Sequence, residues 1–148
     1  MACVDIELPW PPSANHAWRP TPRGGKILSD DHKRYRKAVG DSILVQRIRR
    51  HWTTSALAVG LLCNPPNARS FDIDNRVKTT LDALVSAGVI EDDKYIDLIV
   101  IARGKPRPPD GTMLVHISEL DTMPDRLRDM LAGIVPNVAP PSKQMTRH

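Results

Sequence analysis

Cysteine is scarce in this chain. Its two residues, Cys3 and Cys63, cannot build a disulfide framework, and neither belongs to a CxxC or Cys/His cluster with zinc spacing. A reducing compartment is therefore expected. Long apolar runs are also missing: Ala56 to Cys63, among the longest, falls far short of the roughly 18–20 residues that cross a bilayer. Asp5 and Glu7 interrupt the N-terminus where a signal peptide would be apolar, so a soluble, cytoplasmic protein without membrane contact is expected. The histidines His16, His32, His51, His116 and His148 form no HxxxH or HExxH pair. No Gly-rich phosphate loop, no Ser/His/Asp order and no internal repeat is present, which disfavours a small-molecule enzyme or a small-molecule cofactor.

What is present is globular. At 148 residues, 41% of them hydrophobic, the chain can bury a core without disulfide or metal, and we expect one domain over residues 1–135 with a mobile tail over 136–148. Val4, Ile6 and Leu8 alternate with acids, the period-two pattern of a half-buried strand ended by Pro9, Pro11 and Pro12. Residues 13–28 read as a loop. Ser29 is placed to cap a helix with Asp30 and Asp31 in its first turn and Tyr35, Val39 and Ile43 on its buried face, with Ile48 continuing it. Thr53 to Cys63 reads as a strand with a possible bulge at Gly60. A second helix spans about Asn75 to Ala87, with Val77, Leu81, Leu84 and Val85 on one stripe and Gly88 as its stop. Ile96–Ala102 and Met113–Ile117 read as two adjacent strands joined by a long hairpin, and Pro124 opens a short terminal helix. Both cysteines fall in strands, where a small buried side chain is the default. The expected class is α+β, a small mixed sheet with helices packed on one face.

Charge is unevenly placed. Between Arg19 and Arg50 ten Lys or Arg face three Asp, a local +7, whereas eleven basic and fourteen acidic residues elsewhere leave −3. That fits a polyanion-binding face or, equally, a solvated basic helix. Carboxylates two apart in an extended segment project to one side, so Asp72 and Asp74 in Phe71-Asp72-Ile73-Asp74-Asn75 can share a hard cation such as Mg²⁺; an N-cap role for Asp74 is the plainer alternative. Lys78, one turn on, is placed to reach the same phosphate or to pair with Asp74 or Asp82. Asp93 follows the helix in a turn that can return it to the start of the next strand. Convergence of these groups is not decided by spacing.

Leu8-Pro9-Trp10-Pro11-Pro12-Ser13-Ala14-Asn15, Asp72-Ile73-Asp74-Asn75 with Lys78, Leu81-Asp82-Ala83-Leu84, Gly88, Asp92-Asp93 and Arg103-Gly104-Lys105-Pro106 occur in an order and spacing that resemble the RusA family of Holliday junction resolvases, over about residues 4–117. The resemblance implies a homodimeric, Mg²⁺-dependent endonuclease, with Mn²⁺ able to substitute, that cuts four-way junction DNA by paired symmetric nicks in recombination and repair. It implies Asp72, Asp74 and Asp93 as catalytic metal ligands and Lys78 as the essential lysine, either clamping the scissile phosphate or orienting water. Phosphate contacts are expected from Arg19, Arg23, Arg34 and Lys37. Asn15 either positions its loop or touches DNA, and Asn75 either braces Asp74 or donates to phosphate. Phe71 stands where the family carries a basic residue, which bears on local DNA contacts. Trp10, Trp18 and Trp52 are candidates for stacking on unpaired bases, with packing favoured for Trp10 and Trp52. Two further functions compatible with the residues are a metal-dependent nuclease for flaps or other branched DNA, and a non-catalytic branched-DNA-binding module.

Overall fold

In the computed structural model described here, residues 3–49, 51–52 and 56–120 are placed. The terminal helix at Pro124, the tail over 136–148 and the first residues of the strand expected from Thr53 lie outside the described residues. The first strand, β1 (Cys3–Pro9), buries Ile6 and Leu8 and turns its acids outward, as the alternation requires. It pairs antiparallel with β6 (Thr112–Glu119), β6 pairs antiparallel with β4 (Leu57–Asn64), and β4 pairs parallel with β5 (Ile96–Arg103). The sheet is therefore mixed, in the order β1-β6-β4-β5.

One face of the sheet carries Ile6, Leu8, Leu57, Val59, Leu61, Cys63, Met113, Val115 and Ile117. Helices α1 (Asp30–Val45) and α2 (Asp74–Ser86) pack on it through Tyr35, Val39, Ile43, Val77, Leu81 and Leu84. Each fully buried aliphatic side chain contributes about 1.5–3 kcal/mol, so this one layer dominates the stability. Val85 and Ile48 sit at its margin. Gly88 stops α2 at a φ of 78°, a left-handed conformation that costs glycine nothing. Among the described residues no helix is long and apolar enough to cross a membrane.

Several local expectations are corrected. β5 and β6 are not neighbours, because β4 lies between them. The connector from Gly104 to Gly111 crosses the carboxyl end of β4, where Gly104 N–H donates to Cys63 O at 2.8 Å and Arg107 N–H to Pro65 O at 2.7 Å. Gly111 closes that crossing at a φ of 74°, and a Cβ there would stand 2.7 Å from Pro66 N. Gly60 makes no bulge; the register shift falls between Leu57 and Ala58. Residues 13–28 are ordered as a 3₁₀ turn at Ala14–His16 and a hairpin of β2 (Trp18–Pro20) with β3 (Lys26–Leu28). Ser29 occupies the N-cap position of α1, but its hydroxyl bonds His32 Nδ1 at 2.9 Å rather than the helix backbone. Cys63 is buried and Cys3, on the outermost strand, is exposed. Just beyond α1, the Gln46 side chain accepts from Glu7 N–H at 2.9 Å and donates to Glu7 O at 2.6 Å.

Candidate active site

The segment from Phe71 to Asn75 is held from below. Ile73 packs against the core, while Phe71 meets the Trp10 ring edge-on at 5.0 Å and lies under the Arg103 guanidinium at 4.5 Å. Arg76 ties this start of α2 to the proline-rich N-terminal segment: its Nη1 donates to Pro11 O at 2.6 Å and its guanidinium lies 5.4 Å from the Trp10 ring. Trp10 and Phe71 are thus structural, consistent with packing for Trp10.

Asp72 and Asp74 are both exposed. The backbone is already helical at Ile73, with φ −64° and ψ −39°, so the two-residue alternation of an extended segment is lost between them. Asp74 lies in the first turn of α2, where the helix dipole favours a carboxylate. Asp72 instead accepts from Asn75 Nδ2 at 3.3 Å, so Asn75 braces the first aspartate rather than the second.

Asp93 is returned by a tied segment. After Gly88, Val89 and Ile90 are buried and bracket Trp52: Trp52 N–H donates to Val89 O at 2.8 Å and Glu91 N–H to Trp52 O at 2.9 Å. A 3₁₀ turn, Asp93–Tyr95, then opens, capped by Asp92, whose carboxylate accepts from Lys94 N–H at 2.9 Å and pairs with the Lys94 ammonium. The backbone N–H of Lys94, foremost, holds the Asp92 carboxyl below the usual range.

Asp74, Lys78 and Asp93 share one hollow of about 280 Å³ with Val77, Leu81 and Ile101. Lys78 and Asp93 also line an adjoining open groove of about 550 Å³, together with Trp18, Arg36, Asp82 and Asp92. Lys78 Nζ lies 3.3 Å from Asp82 Oδ1, an exposed pair rather than a bridge to Asp74. Asp82 and Asp92 have lysine partners, whereas Asp72, Asp74 and Asp93 have no basic partner among the described residues. No three His, Cys, Asp or Glu side chains among the described residues gather closely enough to hold a metal ion together. An apolar hollow of about 560 Å³ on the opposite sheet face, lined by Leu62, Val100, Leu114 and the Asp5–His116 pair, contains none of these groups.

The expected DNA contacts divide. Arg19 pairs with Asp30 at 3.4 Å, Arg34 with Asp31, and Lys37 with Asp41 at 3.4 Å. Such exposed pairs are worth about 0–1 kcal/mol and yield readily to a phosphate. Arg23, in the hairpin turn, and Asn15, in the 3₁₀ turn packed on α2, are exposed and line neither the hollow nor the groove. The residue that sequence reasoning missed is Arg36. It lies four residues after buried His32 and beside buried Tyr35, on the shoulder of α1 that faces α2, whereas Arg34 and Lys37 point away with Asp31 and Asp41. The signal was available in the helical phase. Burial, foremost, and the Arg36 charge push the His32 pKa below its ordinary 6.5.

The sequence model of a family described as Endodeoxyribonuclease RusA matches residues 9–110, a span that includes Asp72, Asp74, Lys78 and Asp93. The crossover junction endodeoxyribonuclease rusA of Enterobacteria phage HK97 is 38% identical over 117 residues, 78% of this chain and 94% of that protein. The crossover junction endodeoxyribonuclease RusA of Escherichia coli (strain K12) is 30% identical over 121 residues, 81% of this chain and 98% of that protein.

Proposed function

The chain belongs to the RusA family of endodeoxyribonucleases, and from that premise we propose that it resolves four-way DNA junctions by paired, Mg²⁺-dependent nicks. The observation that carries this function is the hollow shared by Asp74, Lys78 and Asp93, with two carboxylates that lack a basic partner among the described residues and open onto a groove bearing Arg36. Carboxylates are the hard oxygen donors Mg²⁺ takes, usually one or two per ion with water and phosphate completing the shell. The donor set therefore fits Mg²⁺, with Mn²⁺ as substitute: Asp74 and Asp93 would hold it, joined by Asp72 when its carboxylate leaves the Asn75 amide. The ion supplies a Lewis acid that activates water and offsets the charge building at phosphorus.

The chain's own residues bind and orient the strand. Lys78 exchanges Asp82 for the incoming phosphate, a cheap exchange because an exposed i,i+4 pair is worth about 0.2–0.5 kcal/mol. Arg36, Arg19, Arg23, Arg34 and Lys37 supply the sequence-independent affinity, and with it a steep salt dependence. A junction has near two-fold symmetry, so a two-fold homodimer would place one site on each of two opposed strands. The test is a denaturing-gel time course on a labelled mobile four-way junction, beside a flap and a linear duplex, with and without Mg²⁺. Wild type should give symmetric ligatable nicks in the junction, and Asp74→Asn and Asp93→Asn should bind it but cut about 100-fold or more slowly. Equal turnover of flap and junction would move the function to a general branched-DNA nuclease, and full activity of both variants would refute the carboxylate roles.

A further inference from the structure

The three tryptophans that the sequence left as stacking candidates are separated by the fold. Trp52 is 3% exposed and Trp10 is packed between Phe71 and Arg76, whereas Trp18 is 58% exposed and makes no ring contact among the described residues. Its backbone is nevertheless fixed. Trp18 pairs with Leu28 across the hairpin, Ser29 N–H donates to Ala17 O at 2.7 Å next to it, and the adjoining Arg19 pairs with Asp30 at the start of α1.

The indole is also placed where the chemistry ends. Trp18 lines the groove that contains Lys78 and Asp93, and it lines a smaller notch of about 150 Å³ with Arg36, Lys78, Thr79 and Asp82. Arg36, its neighbour in both, makes no ion pair among the described residues, so one groove wall offers a flat apolar ring beside a free cation. A solvent-facing indole on a fixed backbone loses little freedom on binding, and every nucleobase has a face to stack on it.

We propose that Trp18 is a base-stacking platform: it receives a nucleobase unpaired at the branch point while Arg36 holds the adjoining phosphate, which fixes the distance from branch point to scissile phosphate. This deepens the junction-cleavage function and rests on it for the identity of the DNA. The platform would decide where, relative to the crossover, the nick falls.

The experiment places 2-aminopurine at successive positions beside the crossover of a four-way junction and reads its fluorescence on adding the full-length protein in Ca²⁺. Cutting positions are then mapped on gels in Mg²⁺. Wild type and Trp18→Phe should quench one branch-adjacent 2-aminopurine and leave a linear duplex unchanged. Trp18→Ala should lose that quench, bind the junction about 10-fold more weakly, the order expected for one base–aromatic stack, and spread its nicks over neighbouring positions. Because the side chain is exposed, its circular dichroism and melting temperature should match wild type. An unchanged quench, affinity and nick position in Trp18→Ala would overturn the platform while leaving junction cleavage standing. A quench that depends on Trp18 in a wild-type protein that cuts no junction would uphold the platform and refute the cleavage. Loss of self-association in Trp18→Ala, with no loss of quench, would assign the indole to a protein contact and overturn the proposal.

Discussion

Replacing Arg76 with methionine sets two effects of the same half-buried guanidinium against each other. Burial disfavours the charge: desolvation pulls its pKa down, and its Nε is buried without a partner. Methionine, which keeps much of the aliphatic stem, relieves about 1–2 kcal/mol of that cost. Against this, the Nη1 bond to Pro11 O at 2.6 Å comes from a charged donor and is worth about 1.5–3 kcal/mol. Contact with the Trp10 ring at 5.4 Å adds about 0.5–1 kcal/mol. At the middle of these ranges the attractive side wins by about 1.5 kcal/mol, which for a chain of this length lowers Tm by roughly 3–6 °C. Arg76→Lys, which keeps the charge but not the planar fork, should fall between. Thermal melts followed by circular dichroism at pH 7 check this. A methionine variant melting at or above wild type would show that desolvation outweighs the clamp, and the stability reasoning would fail.

Arg36→Gln should lower the slope of log K against log salt by about 1 on any duplex or junction, because one phosphate contact is lost; an unchanged slope in salt titrations would remove Arg36 from the interface. Desolvation holds the pKa of His32 below 6.5 in the fold, so the unfolded chain binds the proton first and stability falls as pH drops below that value. Above about pH 7 both states are neutral and the contribution is flat. Urea midpoints from pH 7.5 to 5 should therefore fall less in His32→Gln than in wild type, and parallel curves would refute the assignment.

Elements with an internal period were readable from sequence: the alternation of Val4, Ile6 and Leu8 marks β1, and Tyr35, Val39 and Ile43 mark the inner face of α1. The β2–β3 hairpin was not readable, since three residues per strand, one of them Pro20, give no measurable alternation. Nor was the insertion of β4 between β5 and β6, because strand order is set by what the connectors can cross, and the Gly104–Gly111 crossing depends on contacts with residues some forty positions earlier. Within the site, residue types and order were legible from Asp72 to Asp93. The helical backbone between Asp72 and Asp74 was not, because residue type does not mark where the first helical φ,ψ pair falls, and that is Ile73.

The Gln46 amide bears on how copies of this chain can meet. β1 is an outer strand of seven residues, and such an edge is ordinarily a template for another strand. At Glu7 both outward main-chain groups are already engaged by a single side chain that mimics a neighbouring peptide unit. A strand arriving from a second molecule would have to evict that mimic before its own ladder could form. The edge nearest α1 is thereby plugged at Glu7, while β5 remains the other outer strand of the sheet.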